Sequence, residues 1–258
     1  MFDRSSLAPP AENLRWRLAL AAAVLLLGLS ACGGCSLTSR GQNVQGVALY
    51  QQGLYQPAMQ HFQQAIDADP NNPDGYYNLA AAYHQLGKLT KSQEDFDQAE
   101  HFYNQCLDRD PDGTHRECYR ALAVLLAEEG RSDEAFRLLG RWSERNPSSA
   151  DPKIELARLS EEFGKLDDAQ HQLQDALAID PKNARALTAL AHLHERSGNT
   201  TQALADYQRS LWHDRNQPEV AARVSSLRSA LSTAPLVTPQ GSTRMVNVNP
   251  ASPSYQRY

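Results

Sequence analysis

The sequence predicts an all-α fold: a solenoid of about five stacked helix pairs closed by one further helix. Three observations predict it. Ala, Leu, Gln and Glu recur throughout, while aromatics are 7% and β-branched runs are scarce, which favours helix over sheet. Small and bulky apolar residues return at fixed offsets from prolines that end helices. The same phase recurs five times, with a period of 34 residues in three places between Arg116 and Gln217. The charge balance also excludes whole classes of function. With 25 Lys+Arg against 30 Asp+Glu the net charge is −5, so no basic excess exists to neutralise phosphates, and no nucleic acid is expected as a partner. A single apolar run excludes a polytopic membrane protein.

That run is the first element. Arg15 and Arg17 precede Leu18 to Leu29, a stretch suited to a signal-peptide core and short for a bilayer span. It ends in Leu29-Ser30-Ala31-Cys32, which resembles the lipobox of bacterial lipoproteins. The resemblance implies a signal peptide over 1–31, cleavage before Cys32 and acylation of Cys32, with a spacer over 32–38. The alternative is an uncleaved anchor helix. Gly33 stands where inner-membrane lipoproteins of enterobacteria typically carry Asp, which places the anchored chain at the outer membrane, facing the periplasm. Cys32-Gly33-Gly34-Cys35 also reads as C-x-x-C, but no βαβ pattern and no second Cys or His pair surrounds it. The expected attachment to the membrane is therefore the covalent lipid on Cys32, with no other cofactor.

The repeat array follows, over 39–231. Asp69-Pro70, Asp110-Pro111, Asn146-Pro147 and Asp180-Pro181 align the units. Twelve residues before each proline lies a small residue: Ala58, Ala99, Ala135 and Ala169. Eight before lie Phe62, Tyr103, Leu139 and Leu173, and five before lie Ala65, Cys106, Trp142 and Ala176. A fifth copy continues with Ala203, Tyr207 and Ser210, with Arg215 in the proline position. Gly53, Gly87, Gly130, Gly164 and Gly198 mark the turns within pairs. Repeat two holds about seven extra residues, Lys88 to Phe96, expected to lengthen the turn or extend the second helix. Two more precede repeat three in Asp112-Gly113-Thr114-His115.

The pattern resembles the tetratricopeptide repeat (TPR) family, whose small position in the first helix falls on Gly46, Ala80, Ala123, Ala157 and Ala191. The large residue three positions on falls on Leu49, Tyr83, Leu126, Ser160 and His194; the last two depart from the family and predict looser packing there. The resemblance implies a right-handed α-solenoid of about five TPR units, in which stacking of pairs buries one continuous core. Glu219 to Leu231, with Val220, Val224, Leu227 and Leu231 on a stripe, resembles the helix that caps such arrays. Residues 232–258 carry four prolines, no acidic residue and few apolar ones, and are expected to remain an unfolded tail.

Tetratricopeptide arrays bind a protein or peptide along the concave face lined by the first helices. The family's groove positions fall on Asn43, Val47, Tyr50, Tyr77, Asn78, His84, Arg120, Arg158, Glu162, His192 and Arg196. Tyr50, Tyr77, Asn78 and His84 are the expected contacts, since Tyr offers large area with a polar end. The family's clamp for C-terminal carboxylates is matched by Asn78 alone, which disfavours a chaperone-tail ligand. Cys106 and Cys118 flank the turn between repeats two and three. Two readings stand: a disulfide stapling that junction, as an oxidising compartment allows, or two small buried side chains.

No catalytic constellation is present. His-Glu-x-x-His, Gly-x-Ser-x-Gly and phosphate-cradling glycine loops are missing, and His192 and His194, two apart on one helix, do not share a face. No metal and no small-molecule substrate is expected. The expected function is a lipid-anchored periplasmic scaffold of the bacterial envelope, docking proteins of pilus, secretion or outer-membrane machinery. An adaptor for peptidoglycan enzymes is the alternative, and an enzyme with an unrecognised site comes third.

Overall fold

The computed structural model describes residues 37–233. The signal segment, Cys32 and the tail beyond 233 lie outside the described residues, as does most of the spacer. Eleven helices run in antiparallel pairs, with no strand among the described residues: α1 (37–51) and α2 (Tyr55–Ala68), α3 (Pro73–Thr90) and α4 (Gln93–Asp108), α5 (Arg116–Glu128) and α6 (Ser132–Arg145), α7 (Asp151–Glu162) and α8 (Leu166–Ile179), α9 (Ala184–Arg196) and α10 (Thr200–His213), then α11 (Pro218–Thr233). From α2 onward each helix packs on its neighbours in the chain, and α3, α5, α7 and α9 also touch one another in succession. That extra contact puts the first helices on the inside of the curve. No helix among the described residues is long and apolar enough to cross a membrane.

The repeat register explains the core. The small second-helix position, Ala58, Ala99, Ala135, Ala169 and Ala203, is fully buried in every unit. Phe62, Tyr103, Leu139, Leu173 and Tyr207 fill the layer above, and Ala65, Cys106, Trp142, Ala176 and Ser210 the layer below. Ser210 is the one hydroxyl among these last five, and it donates to the Ala184 carbonyl at 2.9 Å. Prolines lie just past the ends of α2, α4, α6 and α8, where a ring without an N–H stops the helix. Others stand at the first turns of α3, α7 and α11, where the missing N–H costs nothing. Asn72, Ser92 and Asn183 cap α3, α4 and α9 by accepting from the backbone N–H of Asp74, Asp95 and Ala186.

Turns within pairs use a left-handed residue. Gly53, Gly130, Gly164 and Gly198 have φ between 72° and 77°. After all four of them the next residue's N–H returns to a carbonyl of the last turn, as in Arg131 to Leu126 at 2.8 Å. Repeat two departs from the expectation. Gly87 is not its turn: it lies inside α3, where a Cβ would press on the Phe96 ring at 3.3 Å. Lys91, at φ 59°, makes the turn instead. The extra residues thus extend both helices of the pair, mainly the first: α3 has 18 residues against 13 in α5, and α4 has 16 against 14 in α6.

Looser packing at Ser160 and His194 is also not what the fold contains. Ser160 is buried, and His194 Nδ1 meets the buried carboxylate of Asp206 at 2.8 Å. A polar pair there replaces the apolar contact. Gly46 shows how tightly the first pair closes, since a Cβ there would overlap the buried Phe62 ring. Gly46→Ala is expected to lower stability by about 1–2 kcal/mol, the overpacking outweighing Ala's gain in helix propensity. Urea denaturation measures it, and an unchanged or raised midpoint would show that the ring gives way.

Candidate partner-binding groove

The inner face divides into an open half and a closed half. In the open half, α1, α3 and the start of α5 surround a cleft of about 380 Å³ lined by Arg40, Asn43, Val44, Asp74, Tyr77, Asn78, His115 and Glu117. A second hollow of about 220 Å³ adjoins it along Tyr77, His84, Glu117, Arg120, Ala121 and Val124. Asn78 Nδ2 donates to Asn43 Oδ1 at 3.2 Å and joins the first two inner helices across the cleft floor. His84 is buried, with Nε2 2.9 Å from Glu128 Oε2, and Lys88 holds the other Glu128 oxygen at 2.7 Å. Of the expected contacts, Asn43, Tyr77, Asn78, His84 and Arg120 therefore meet in one continuous hollow. Tyr50 packs edge-on against Tyr55, with ring centroids 5.3 Å apart, at the end of α1.

In the closed half the charges satisfy each other. Arg185 donates to Asp151 at 2.6 Å and to Glu155 at 2.5 Å, and Arg158 holds the second oxygen of buried Glu155 at 3.2 Å. Arg196 donates to Glu161 at 2.6 Å, and Arg223 to Glu195 at 2.9 Å. His192 Nδ1 is 3.0 Å from the Tyr207 hydroxyl. Arg158 and His192, both expected in the groove, are thus held within their own repeats, Arg158 by Glu155 of α7 and His192 by Tyr207 of α10.

Four polar cleft residues escaped sequence reasoning. Arg40, Asp74 and Glu117 share one register, six residues before the small position, continued by Asp151 and Arg185. Aligning the first helices on that position reveals the column. His115 has no such signal, because it sits on the loop that breaks the period. Asp110 places it there. Its carboxylate accepts from the Thr114 N–H at 3.0 Å, the Thr114 hydroxyl at 2.9 Å and the His115 N–H at 2.8 Å. Gly113, at φ 65°, completes the loop beneath.

His115 Nε2 lies 3.1 Å from Asp74 Oδ1. That bond raises the imidazole above its ordinary pKa of 6.5, against burial, and it holds the Asp74 carboxyl below its ordinary value. The histidine's contribution to stability is complete below pH 6.5 and fades as pH rises through the raised value. The aspartate's contribution is present above its ordinary pKa and fades as pH falls through the depressed one. Asp74 is more than half exposed, so solvent screening keeps the pair to about 0.2–1 kcal/mol. Asp74→Asn is expected to return His115 toward 6.5, read from its imidazole signals in an NMR titration. An unmoved His115 would mean that Asp74 does not set its charge.

Antiparallel helix pairs stacked at a fixed period, with an open cleft on the inner face, define an α-solenoid that presents a concave surface to other proteins. Residues 91–159 and 161–227 match the tetratricopeptide repeat family and residues 46–87 match a TPR repeat; the chain belongs to the tetratricopeptide repeat family. Among curated proteins it is 25% identical over 168 residues to a TPR repeat-containing protein of Methanocaldococcus jannaschii, which covers 65% of this chain and 30% of that one. It is 29% identical over 175 residues to cellulose synthase operon protein C of Pseudomonas fluorescens, covering 65% of this chain and 13% of that one. The chain thus spans less than a third of either relative. Among solved structures it resembles a thermophilic TPR protein of Thermus thermophilus, with TM-score 0.55, 24% identity and coverage of 74% and 99%. It also resembles PilF of Pseudomonas aeruginosa, with TM-score 0.50, 17% identity and coverage of 78% and 89%. These two likenesses concern the fold. The chain is a TPR scaffold for protein–protein interaction.

Proposed function

We propose that this chain is a lipid-anchored scaffold of a bacterial envelope, docking a partner protein of a pilus, secretion or outer-membrane assembly in the N-terminal half of its concave groove. The carrying observation is the division of the inner face: Arg158, Arg185, Arg196 and their carboxylates are spent on one another, while the Asn43–Tyr77–Asn78 cleft stays open. A cleft with Tyr beside two amides and both signs of charge suits a polar segment carrying an apolar anchor. The anchor reading is supported by Arg15, Arg17, the apolar run and Leu29-Ser30-Ala31-Cys32. The reading assigns no catalytic step.

A photo-crosslinking residue in place of Tyr77, with mass spectrometry of what it captures in cells, tests the docking. A subunit of a pilus, secretion or outer-membrane machine captured at Tyr77, and not from Gln63 on the outer helix α2, supports it. A cell-wall hydrolase captured there would make the chain an adaptor for peptidoglycan enzymes. Capture from Gln63 alone would reject the groove. Cys32→Ser tests the anchor separately and is expected to move the protein from the membrane fraction to the soluble one.

A further inference from the structure

Cys106, in the last turn of α4, and Cys118, in the first turn of α5, form a disulfide with Cα atoms 6.5 Å apart. Both residues are fully buried. A ring nitrogen of His115 and the two sulfurs all lie within 4.8 Å of one another. His115 uses Nε2 on Asp74, while Nδ1 is buried and has no hydrogen-bond partner. A native protein rarely leaves such a nitrogen orphaned. The closest carboxylate oxygen to it, Glu117 Oε2, stands 3.8 Å away, beyond hydrogen-bond reach, and the other Glu117 oxygen accepts from Arg116 Nε at 2.9 Å.

We propose that Cys106, Cys118 and His115 form, once the disulfide is reduced, a three-donor site for the soft cation Cu(I), so that one buried donor set has two alternative closures. Two thiolates and an imidazole are soft enough to favour Cu(I) or zinc. The donor count separates these two. Structural zinc is almost always four-coordinate, and Glu117 is engaged by Arg116, whereas Cu(I) is satisfied by three donors. Asp74 stands behind the histidine as the carboxylate commonly does behind a metal-bound imidazole. Accepting the Nε2 proton, it fixes the tautomer that leaves a lone pair on Nδ1. Asp110 fixes the backbone that carries the ring, by accepting the His115 main-chain N–H at 2.8 Å, and Tyr77 meets the ring itself with centroids 5.5 Å apart. Asp74 and His115 also line the cleft, which gives a cation its way in.

The chemistry balances with a dithiol as reductant. Its two thiols supply two electrons to the Cys106–Cys118 bond and become a disulfide, and two protons end on the freed sulfurs. Cu(I) then displaces those two protons to solvent and binds both thiolates and Nδ1. With no reductant the pair remains a disulfide and the site stays closed to metal.

The test uses the full chain carrying Cys32→Ser and Cys35→Ser, leaving Cys106 and Cys118 as its only cysteines. Reduced without oxygen, it is titrated with Cu(I) in competition with bicinchoninate, with circular dichroism recorded throughout. One equivalent of Cu(I) is expected to be withheld from the chelator by the reduced chain, and none by the oxidised chain. His115→Ala is expected to weaken retention at least ~100-fold, and Asp74→Asn about 10-fold. Zn(II) in place of Cu(I) is expected to bind at least ~100-fold more weakly. The proposal is overturned if the reduced chain withholds no copper, if His115→Ala withholds it as tightly, if zinc binds as well, or if reduction abolishes the helical signal.

Discussion

Trp142→Ala is expected to lower the unfolding free energy by about 3–5 kcal/mol, among the largest single-residue losses available in the array. Trp142 lies on α6, at the layer that Ala65, Ala176 and Ser210 fill with small side chains in other repeats. Repeat three accommodates an indole because the loop after α4 passes over it. The indole stacks on the Tyr119 ring with centroids 4.3 Å apart and planes within 2°, and its Nε1 donates to the Gly113 carbonyl at 2.9 Å. Truncation therefore opens a cavity, removes a ring stack and leaves a carbonyl without its donor. Trp142→Phe separates these effects. It keeps most of the stack and is expected to cost about 1–3 kcal/mol, mainly for the carbonyl. The loop also carries His115 into the cleft, so the Phe variant is expected to shift the His115 imidazole signals while the helical content holds. Denaturation with urea reads the energies through the midpoint at unchanged slope. A loss below about 1 kcal/mol for the Ala variant would mean that α6 closes over the gap.

What the sequence made legible is what the repeat makes periodic. Ala58, Ala99, Ala135, Ala169 and Ala203 could be read as core without any coordinates, because each must admit a neighbouring helix at the same depth. The glycine turns were equally readable wherever the period held. Gly87 misled because the extra residues of repeat two moved the turn four positions on, to Lys91, which took the left-handed conformation usually given to glycine. The groove was half legible. Asn43, Tyr77 and Asn78 follow from register alone, but whether a groove charge is open or spent depends on partners about 30–35 residues away. Arg196 shows the difference: its register is that of a ligand contact, and its guanidinium is taken by Glu161, 35 residues back. His115 was invisible for the opposite reason, since an out-of-phase loop has no counterpart to align with.

Replacing Cys106 and Cys118 together by Ala is expected to destabilise the array by roughly 3 kcal/mol, since the bond closes a short loop that the unfolded chain would otherwise explore freely. Ala suits both sites better than Ser, because each is fully buried and a new hydroxyl would need a partner. A double-mutant cycle makes the result decisive. If the bond carries the effect, Cys106→Ala alone costs nearly what the double variant costs, and so does Cys118→Ala, because the bond is lost only once. A reductant should then weaken the parent chain and leave the double variant unchanged. If the single losses add up to the double one, the cysteines act as two separate core side chains, and the staple is rejected. The cost should also be local. A helical repeat holds together through nearest-neighbour interfaces, so losing the staple weakens the α4–α5 junction and leaves the packing of α7 to α10 as it was. Hydrogen exchange is expected to rise first in α4 and at the start of α5, the same segments that place His115 against Asp74 at the mouth of the cleft.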